Sequence, residues 1–416
     1  MTIHPALHAP ACGCDGGDLA PSLISIDAAL ARIAAAVPAA DGAEALALGA
    51  ARGRVLAAPV RAAAMDGYVV NGSALTGAGP WRLQVIARLP AGQGAGPALT
   101  ATTAARIFTG APVPDGADAV VMQEDVTRQG DVILLRQRPE PGLNIRRTGA
   151  DMTAGALVLE AGCRLGPREI AACAAAGAGT VQVRPRLRVA LLVTGNEVRP
   201  SGDARSAAQI WDVNTPMLSA LLSRPEVDLA SAAHAADDRP GIARQLAELA
   251  EGCDLIVTTG GISVGEEDHV KPALAGLGGE ILFSGVAIKP GKPVSFARLG
   301  RALWLGLPGN PLSAFVTWQL FGTSLVRHMT GQTALPPQRR HVVLLDQVQR
   351  KPGRCELRPA AIDGFDAHGR EVVRFDTATH SDRVGLLPAS DGLIFLPAEA
   401  DHLPAGALVE FQPFCD

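Results

Sequence analysis

Two uninterrupted apolar runs, each ending in a Thr-Gly turn, limit what this chain can fold into. They are RLRVALLVTGNEV, from residue 186, and CDLIVTTGG, from residue 253. Two stretches of helical periodicity, NTPMLSALLS and GIARQLAELAEG, lie between them. Buried strands that alternate with helices form a doubly wound parallel sheet, and ligands bind at the carboxyl ends of its strands. The sequence therefore predicts an α/β domain with a ligand site at the Thr-Gly turns.

The rest of the chain reads differently, and 416 residues are too many for one compact core. Short β-like runs between Gly and Pro turns alternate with Ala-rich helical stretches. These patterns predict five regions: a disordered leader over 1–20, a discontinuous helical linker domain over 21–49 and 147–184, an inserted β-rich domain over 50–146, the α/β domain over 185–333, and a C-terminal β domain over 338–416.

Composition excludes several classes of protein. No run of about 18 apolar residues is present, so a membrane span is not expected. The first residues lack the basic region and apolar core of a signal peptide. A net charge of −4 gives no reason to expect nucleic acid as a partner. Seven scattered cysteines, an odd number, are typical of free thiols in a reducing cytoplasm.

Lysine is used in an unusual way. Only four of the 37 basic residues are lysines, and Lys271, Lys289 and Lys292 fall between residues 271 and 292. A compact ammonium group differs from the planar guanidinium as an anion donor, so a site for an anionic ligand would explain the grouping. The alternative is chance clustering.

Three loops at predicted strand ends offer the polar groups of a binding site. Residues 194–197, 258–268 and 307–313 carry hydroxyls and backbone N–H groups, which suit phosphate, together with acidic side chains, which suit Mg²⁺. A magnesium ion between carboxylates and phosphate would reconcile both features. The plainer interpretation is that the glycines only permit tight turns. Neither G-x-G-x-x-G nor G-x-x-x-x-G-K-[ST] is present, which weakens a dinucleotide or Walker-type interpretation.

The β-rich region contains a second group of polar residues. Asp66 lies in AMDGY, Thr109 in RIFTGAPVP, and Asp151 at the end of NIRRTGAD. These acidic and hydroxyl groups could complete a site supplied by another domain or subunit. Ordinary Asp-Gly turns and a solvated loop surface are the alternative.

Taken together and in order, the motifs resemble one family. They are AMDGY, RIFTGAPVP, ADAVVMQED, NIRRTGAD, TGNEV, IWDVNTPML, TTGGISVGEEDHVK, AIKPGKP and GLPGNPLSAF. This series is similar to that of the molybdopterin molybdenumtransferases, the bacterial MoeA family, which is related to the E domain of gephyrin. The resemblance covers roughly residues 22–415.

The resemblance implies a fold, a reaction and partners. The fold is an L-shaped homodimer of four-domain subunits, with a MogA-like sheet domain. The reaction is the Mg²⁺-dependent cleavage of adenylylated molybdopterin by molybdate, which yields molybdenum cofactor and AMP. The site lies between the sheet domain of one subunit and the β-rich domain of the other. A molybdopterin adenylyltransferase and recipient molybdoenzymes are the implied protein partners.

The resemblance and the strand-end argument together assign roles to individual residues. The catalytic set is Asp66, Thr109, Asp151, Glu197, Asp237, Asp268, Lys289 and Lys292, with Glu197 and Asp268 as the Mg²⁺ ligands. The cofactor-binding set is Thr194, Gly195, Asp212, Asn214, Thr258, Gly260, Gly261, Ser263, Gly265, Pro308, Gly309, Asn310, Pro311, Ser313 and Ser381.

The chain departs from the family at two places. Gly285 stands where many members have a further lysine, and Ser381 lies in THSDRVG where the family often has a Gly-Ser-His sequence. The first departure puts molybdate affinity in question, and the second the pterin contacts of the C-terminal domain. A non-catalytic paralogue that carries cofactor or scaffolds its assembly is therefore the alternative function. When the family resemblance is set aside, the residues alone favour a third function, that of an unrelated nucleotide-dependent transferase.

Overall fold

The computed structural model describes residues 23–58, 60–61, 70–89, 96–107, 113–121, 125–143, 152, 155–262, 268–333, 339–376 and 380–414. The predicted leader over 1–20 lies outside these residues. So do five predicted site residues: Asp66, Thr109, Asp151, Ser263 and Gly265.

Helix α1 (Ile26–Ala36) opens the described chain. Ser25 caps it, because its Oγ accepts a hydrogen bond from the Ala28 N–H at 3.1 Å. The helix ends at Ala36, shortly before Pro38, which cannot continue a helix. Its apolar face buries Ile26 and Ile33 in the core of the α/β domain.

The next elements form small sheets. Their bounds are β1 (Glu44–Ala47), β2 (Val60–Arg61), β3 (Trp81–Leu89), β4 (Thr103–Ile107), β5 (Val126–Gln129), β6 (Val132–Leu135), β7 (Leu157–Leu159), α2 (Pro167–Ala175) and β8 (Thr180–Val183), with a 3₁₀ turn at Leu48–Ala50. Strands β4-β3-β6-β5 make one sheet, while β1 pairs with β8 and β2 with β7. Helix α2 begins at Pro167, because proline suits the first helical position, and is followed by Gly177 with φ +79°.

Residues 187–329 form the α/β domain. Its elements are β9 (Leu187–Thr194), β10 (Val198–Arg199), β11 (Ile210–Trp211), α3 (Asn214–Leu222), β12 (Val227–Ala235), α4 (Arg239–Gly252), β13 (Leu255–Thr259), α5 (Val270–Gly276), β14 (Glu280–Ser284), β15 (Ile288–Lys289), β16 (Ser295–Leu299), β17 (Ala302–Leu307), α6 (Pro311–Thr317), a π-helical turn (Trp318–Gly322) and α7 (Thr323–Met329).

The main sheet has the order β12-β9-β13-β17-β16-β14. Its first four strands are parallel, as predicted, whereas β16 runs antiparallel to both of its neighbours, β17 and β14. The reason is chain length: only Gly300 and Arg301 join β16 to β17, and a parallel connection needs a crossover of a dozen or more residues. Alternate residues of β9 enter separate apolar clusters, since Leu191 joins one and Leu192 the other. The sheet is therefore covered on both faces.

The C-terminal domain is a closed β structure. Its elements are β18 (Arg340–Leu344), β19 (Val348–Gln349), β20 (Cys355–Phe365), β21 (Glu371–Phe375), a 3₁₀ turn (Leu387–Ala389), β22 (Gly392–Leu396), β23 (His402–Leu403) and β24 (Leu408–Pro413). Strand β20 pairs with both β21 and β22, and the ring closes through β18 and β24. None of the helices in the described ranges is long and apolar enough to cross a membrane.

Two features join the C-terminal domain to the α/β domain. Strand β15 pairs in parallel with the start of β20, at Cys355 and Glu356. The Glu356 carboxylate, only 2% exposed, also accepts from Arg350 at 3.2 Å, Arg358 at 2.9 Å and Lys289 at 3.5 Å. Buried charges of this kind are tolerated only when they are paired, so this cluster fixes how the two domains meet.

Cys355 will report on this junction. Its thiol is buried, and burial raises its pKa to about 12. Because the thiolate is the nucleophile, Cys355 will resist iodoacetamide at pH 8 in the native protein and react after unfolding in urea. Peptide mass spectrometry measures this, with the half-buried Cys253 as the more reactive comparison. Equal labelling rates of the two native thiols would contradict the packing of β15 on β20.

Candidate active site

A cavity of about 660 Å³ lies at the carboxyl ends of the four parallel strands β12, β9, β13 and β17. The predicted meeting of the three strand-end loops is therefore confirmed. Among the residues that line it are thirteen named from the sequence: Thr194, Gly195, Glu197, Asp212, Asn214, Asp237, Gly260, Gly261, Asp268, Pro308, Gly309, Asn310 and Pro311.

Glycine is required where these loops meet. Gly260 has φ +89°, and a Cβ there would lie 2.7 Å from Oγ1 of Thr194 and 2.9 Å from the Thr194 carbonyl oxygen. The Cα of Gly260 is also 3.5 Å from where a Cβ of Gly309 would be. Steric need thus explains Gly260 without a ligand, as the plainer interpretation held, and it also brings backbone from three strand ends to the cavity wall.

A buried polar network holds the loops together. Asn214 Nδ2 donates to Thr259 Oγ1 at 2.6 Å and to the Gly309 carbonyl at 2.7 Å. Thr259 Oγ1 in turn donates to the Pro308 carbonyl at 3.3 Å. The start of α3 is thereby fixed against β13 and the loop after β17.

The acidic side chains hold different positions on the wall. Asp237 accepts from the Asn196 N–H at 2.8 Å, and Asp212 caps α3 by accepting from the Thr215 N–H at 2.9 Å. Both carboxylates therefore organise backbone. Glu197 and Asp268 line the same cavity.

Whether these residues fit Mg²⁺ depends on the donor set. Within the part of the chain that the structure describes, no group of three or more His, Cys, Asp or Glu side chains is arranged to hold a metal ion. Mg²⁺ is usually bound by one or two carboxylates together with substrate phosphates and water. Glu197 and Asp268, which face one cavity, supply oxygen donors of that kind.

The three grouped lysines do not line this cavity. Lys289 pairs with Glu356 at the domain junction. Lys292 is exposed and precedes Pro293, which does line the cavity. Lys271 donates to Ser284 Oγ at 3.3 Å; burial lowers the pKa of Lys271, and the nearby Asp268 carboxylate acts in the opposite direction. The structure therefore places the lysines at separate points around the site.

Three residues that were predicted to contact the ligand, Thr258, Ser313 and Ser381, are not among those that line the cavity. Thr258 is fully buried, and its Oγ1 accepts from the Trp304 indole N–H at 3.1 Å, on the far side of β13. Ser313 is buried inside α6. Ser381 joins the C-terminal domain to the cavity rim, because its Oγ accepts from Asn310 Nδ2 at 2.8 Å.

Several residues that line the cavity were not predicted from the sequence. Ile210, Trp211, Thr259 and Asp382 all line it, and Asp382 comes from the C-terminal domain. Trp211 and Ile210 precede Asp212 in IWDVN, a motif that was recognised, so an exposed aromatic there was a detectable signal. Beside Ser381, a small pocket is lined by Arg358, His380 and Arg383, with Asp376. No sequence pattern marked these basic side chains.

A doubly wound domain with a cavity at its strand ends, tied to a closed β domain, defines the chain as a multidomain α/β and β protein. The model of the probable molybdopterin binding domain matches residues 190–328. The models of the MoeA N-terminal region (domains I and II) and of the MoeA C-terminal region (domain IV) match residues 24–177 and 341–414.

Full-length relatives place the chain more narrowly. The molybdopterin molybdenumtransferase of Haemophilus influenzae is 33% identical over 357 residues, which are 84% of this chain and 86% of the relative. Molybdopterin molybdenumtransferase 2 of Mycobacterium tuberculosis is 33% identical over 83% of this chain and 87% of its own. The crystal structure of the molybdopterin biosynthesis MoeA protein of Pyrococcus horikoshii has a TM-score of 0.77, with 26% identity over 94% of this chain and all of that one. The chain belongs to the molybdopterin molybdenumtransferase (MoeA) family, and the resemblance and the multidomain fold predicted from sequence are confirmed.

Proposed function

We propose that this chain is a molybdopterin molybdenumtransferase that inserts molybdate into adenylylated molybdopterin and releases AMP. The observation that carries the proposal is the cavity at the strand ends, which Glu197, Asp237 and Asp268 line together with the glycine turns. Its residues come from the motifs that the family shares along nearly the whole chain. Supporting this, relatives of nearly equal length carry that name.

The phosphate groups of the substrate suit the glycine turns. Backbone N–H groups at Gly195 and Gly261 lie at the ends of β9 and β13, near the Thr194 hydroxyl, whereas the Gly260 N–H already donates to the Leu307 carbonyl at 3.3 Å. Successive backbone amides at such turns bind oxyanions. Glu197 and Asp268 would hold Mg²⁺ against these phosphates. The bound ion would neutralise phosphate charge as the adenylate is cleaved.

Molybdate, an oxyanion, requires cations near the reacting phosphate. Lys292 is exposed and precedes Pro293, which lines the cavity, whereas Lys289 pairs with Glu356. In the small pocket beside Ser381, Arg358 is paired with Glu356 at 2.9 Å and Arg383 lies 3.6 Å from Asp376. Gly285, where many relatives have lysine, has φ +96°, and a Cβ there would lie 2.8 Å from a methyl carbon of Leu23. A side chain is therefore strained at this position.

The β-rich domain completes the site in this proposal. Asp66, Thr109 and Asp151 would come from the second subunit of a homodimer. The adenylyltransferase would deliver the substrate in the cytoplasm, and molybdoenzymes would receive the product.

The proposal predicts that purified protein releases AMP from adenylylated molybdopterin only when molybdate and Mg²⁺ are both present. Chromatographic measurement of AMP tests this, with EDTA and molybdate-free reactions as controls. Tight binding of the substrate without AMP release would contradict the enzyme and favour the carrier or scaffold function.

A further inference from the structure

We propose that residues 210–214 form the wall of the cavity that recognises a flat nitrogen heterocycle of the ligand, through Trp211 as a stacking surface and Asn214 as a hydrogen-bond acceptor. This inference rests on the proposed function, because the adenylylated substrate carries two such rings, adenine and pterin. In this inference, Trp211 and Asn214 determine which ring the cavity binds and do not act on the phosphates.

Trp211 is placed for stacking. Its side chain lines the cavity and is 51% exposed, with Ile210 beside it also exposed. The indole N–H donates to the Asp203 carbonyl at 3.3 Å, and the Arg205 guanidinium lies 4.6 Å from the ring centroid. The ring is therefore held from one side while it presents aromatic surface to the cavity. Aromatic side chains held in this way stack on bases without demanding a particular sequence or substituent.

Asn214 supplies the polar part of the recognition. The residue is 7% exposed, and its Nδ2 is committed to Thr259 Oγ1 and the Gly309 carbonyl. Since the Gly309 oxygen can only accept, the amide nitrogen must face it, and Oδ1 points the other way. That buried oxygen has no hydrogen-bond partner in the described structure, although the residue lines the cavity. Buried acceptors are rarely left unpaired, so a ligand N–H is the fitting partner.

Charge on this wall favours the heterocycle over the phosphates. Asp212 lies between the two residues and lines the same cavity, while the glycine turns that suit phosphate are at the ends of β9 and β13. An acidic wall with an aromatic face and a free acceptor suits a neutral, planar ring with an amino group. Adenine and pterin both have one.

Tryptophan fluorescence tests the stacking step with AMP, ribose 5-phosphate and free pterin as probes. Of the four tryptophans, Trp304 and Trp318 are buried and Trp81 lies in the β-rich sheet, so Trp211 alone reports on the cavity. We expect AMP or pterin to quench emission, and ribose 5-phosphate not to. Trp211→Phe should abolish the quenching, whereas the control Trp81→Phe should keep it. Quenching by AMP assigns the adenine half to this wall, and quenching by pterin alone assigns the pterin half.

Affinity measurements test the acceptor. Trp211→Ala and Asn214→Leu should each weaken the binding of the quenching ring by about tenfold, the effect of one lost stacking or hydrogen-bonding contact. In Trp211→Ala, which leaves the network of Asn214, Thr259 and Gly309 intact, binding of ribose 5-phosphate should change by less than about twofold. This internal comparison separates ring recognition from general loosening of the cavity, because a loosened cavity would weaken both ligands.

The two proposals fail in different ways. Wild-type protein that releases AMP in the transfer reaction, yet shows no ring-dependent quenching and no ring-selective loss in either variant, overturns this inference and leaves the proposed function standing. Ring-selective binding without AMP release supports the inference and contradicts the function.

Discussion

Asp268→Asn will lower the rate of AMP release by at least about a hundredfold and leave the protein folded. Asparagine preserves the shape of the side chain but removes the negative charge that would hold Mg²⁺ at the cavity, which Asp268 lines just before α5. Initial rates at saturating molybdate and Mg²⁺ measure the effect, and circular dichroism verifies the fold. Since the Asp268 carboxylate also counteracts the lowering of the Lys271 pKa, that pKa will fall further in the variant.

The matched control is Asp228→Asn. Asp228 lies at the start of β12, at the opposite end of the sheet, and forms an exposed ion pair with Arg188 at 3.9 Å. This control should retain activity close to that of the wild type. Full activity in Asp268→Asn would remove this residue from the proposed metal site.

Glu356→Gln will destabilise the protein by about 3–5 kcal/mol, the usual effect of breaking a buried ion pair by removing one partner. The substitution leaves Arg350 and Arg358, whose side chains are 3% and 5% exposed, without their counter-charge. Urea unfolding followed by circular dichroism measures the change, and the transition of the C-terminal domain should shift most.

Asp363→Asn is the control for that experiment. Asp363 pairs with Arg374 at 3.4 Å, and both side chains are substantially exposed. Exposed pairs contribute about 0–1 kcal/mol, so its unfolding curve should nearly overlay that of the wild type. Equal shifts in the two variants would mean that the Glu356 cluster does not stabilise the domain junction.

The sequence predicts those helices and strands whose formation depends on neighbouring residues in the chain. Strands β9 and β13 and helices α3 and α4 follow from the apolar runs and the helical periodicity of RLRVALLVTGNEV, CDLIVTTGG, NTPMLSALLS and GIARQLAELAEG. Strand β12 was missed because VDLASAAHA consists mainly of alanine and small residues, without a clear apolar alternation. The antiparallel edge of the sheet was missed because strand direction is set by pairing across the sheet.

The candidate site also depends on tertiary contacts, which the sequence does not predict. TTGG marks a strand end correctly, but neighbouring residues of a strand point to opposite faces. Only the fold decides that Thr259 faces the cavity and that Thr258 faces Trp304. Likewise, the three lysines are close together in sequence, but Lys289 pairs with Glu356, which belongs to the C-terminal domain. Residue type predicted the chemistry of the cavity, and long-range packing decided which side chains reach it.

Strand β15 has a practical consequence for dividing the protein into pieces. Its two residues, Ile288 and Lys289, precede the C-terminal domain by some distance in sequence, yet they extend that domain's sheet by pairing with β20. A recombinant fragment that starts near residue 338 would lack them and would leave the first residues of β20 as an open edge. Open edges recruit other chains, so such a fragment is expected to self-associate unless it is produced together with the α/β domain.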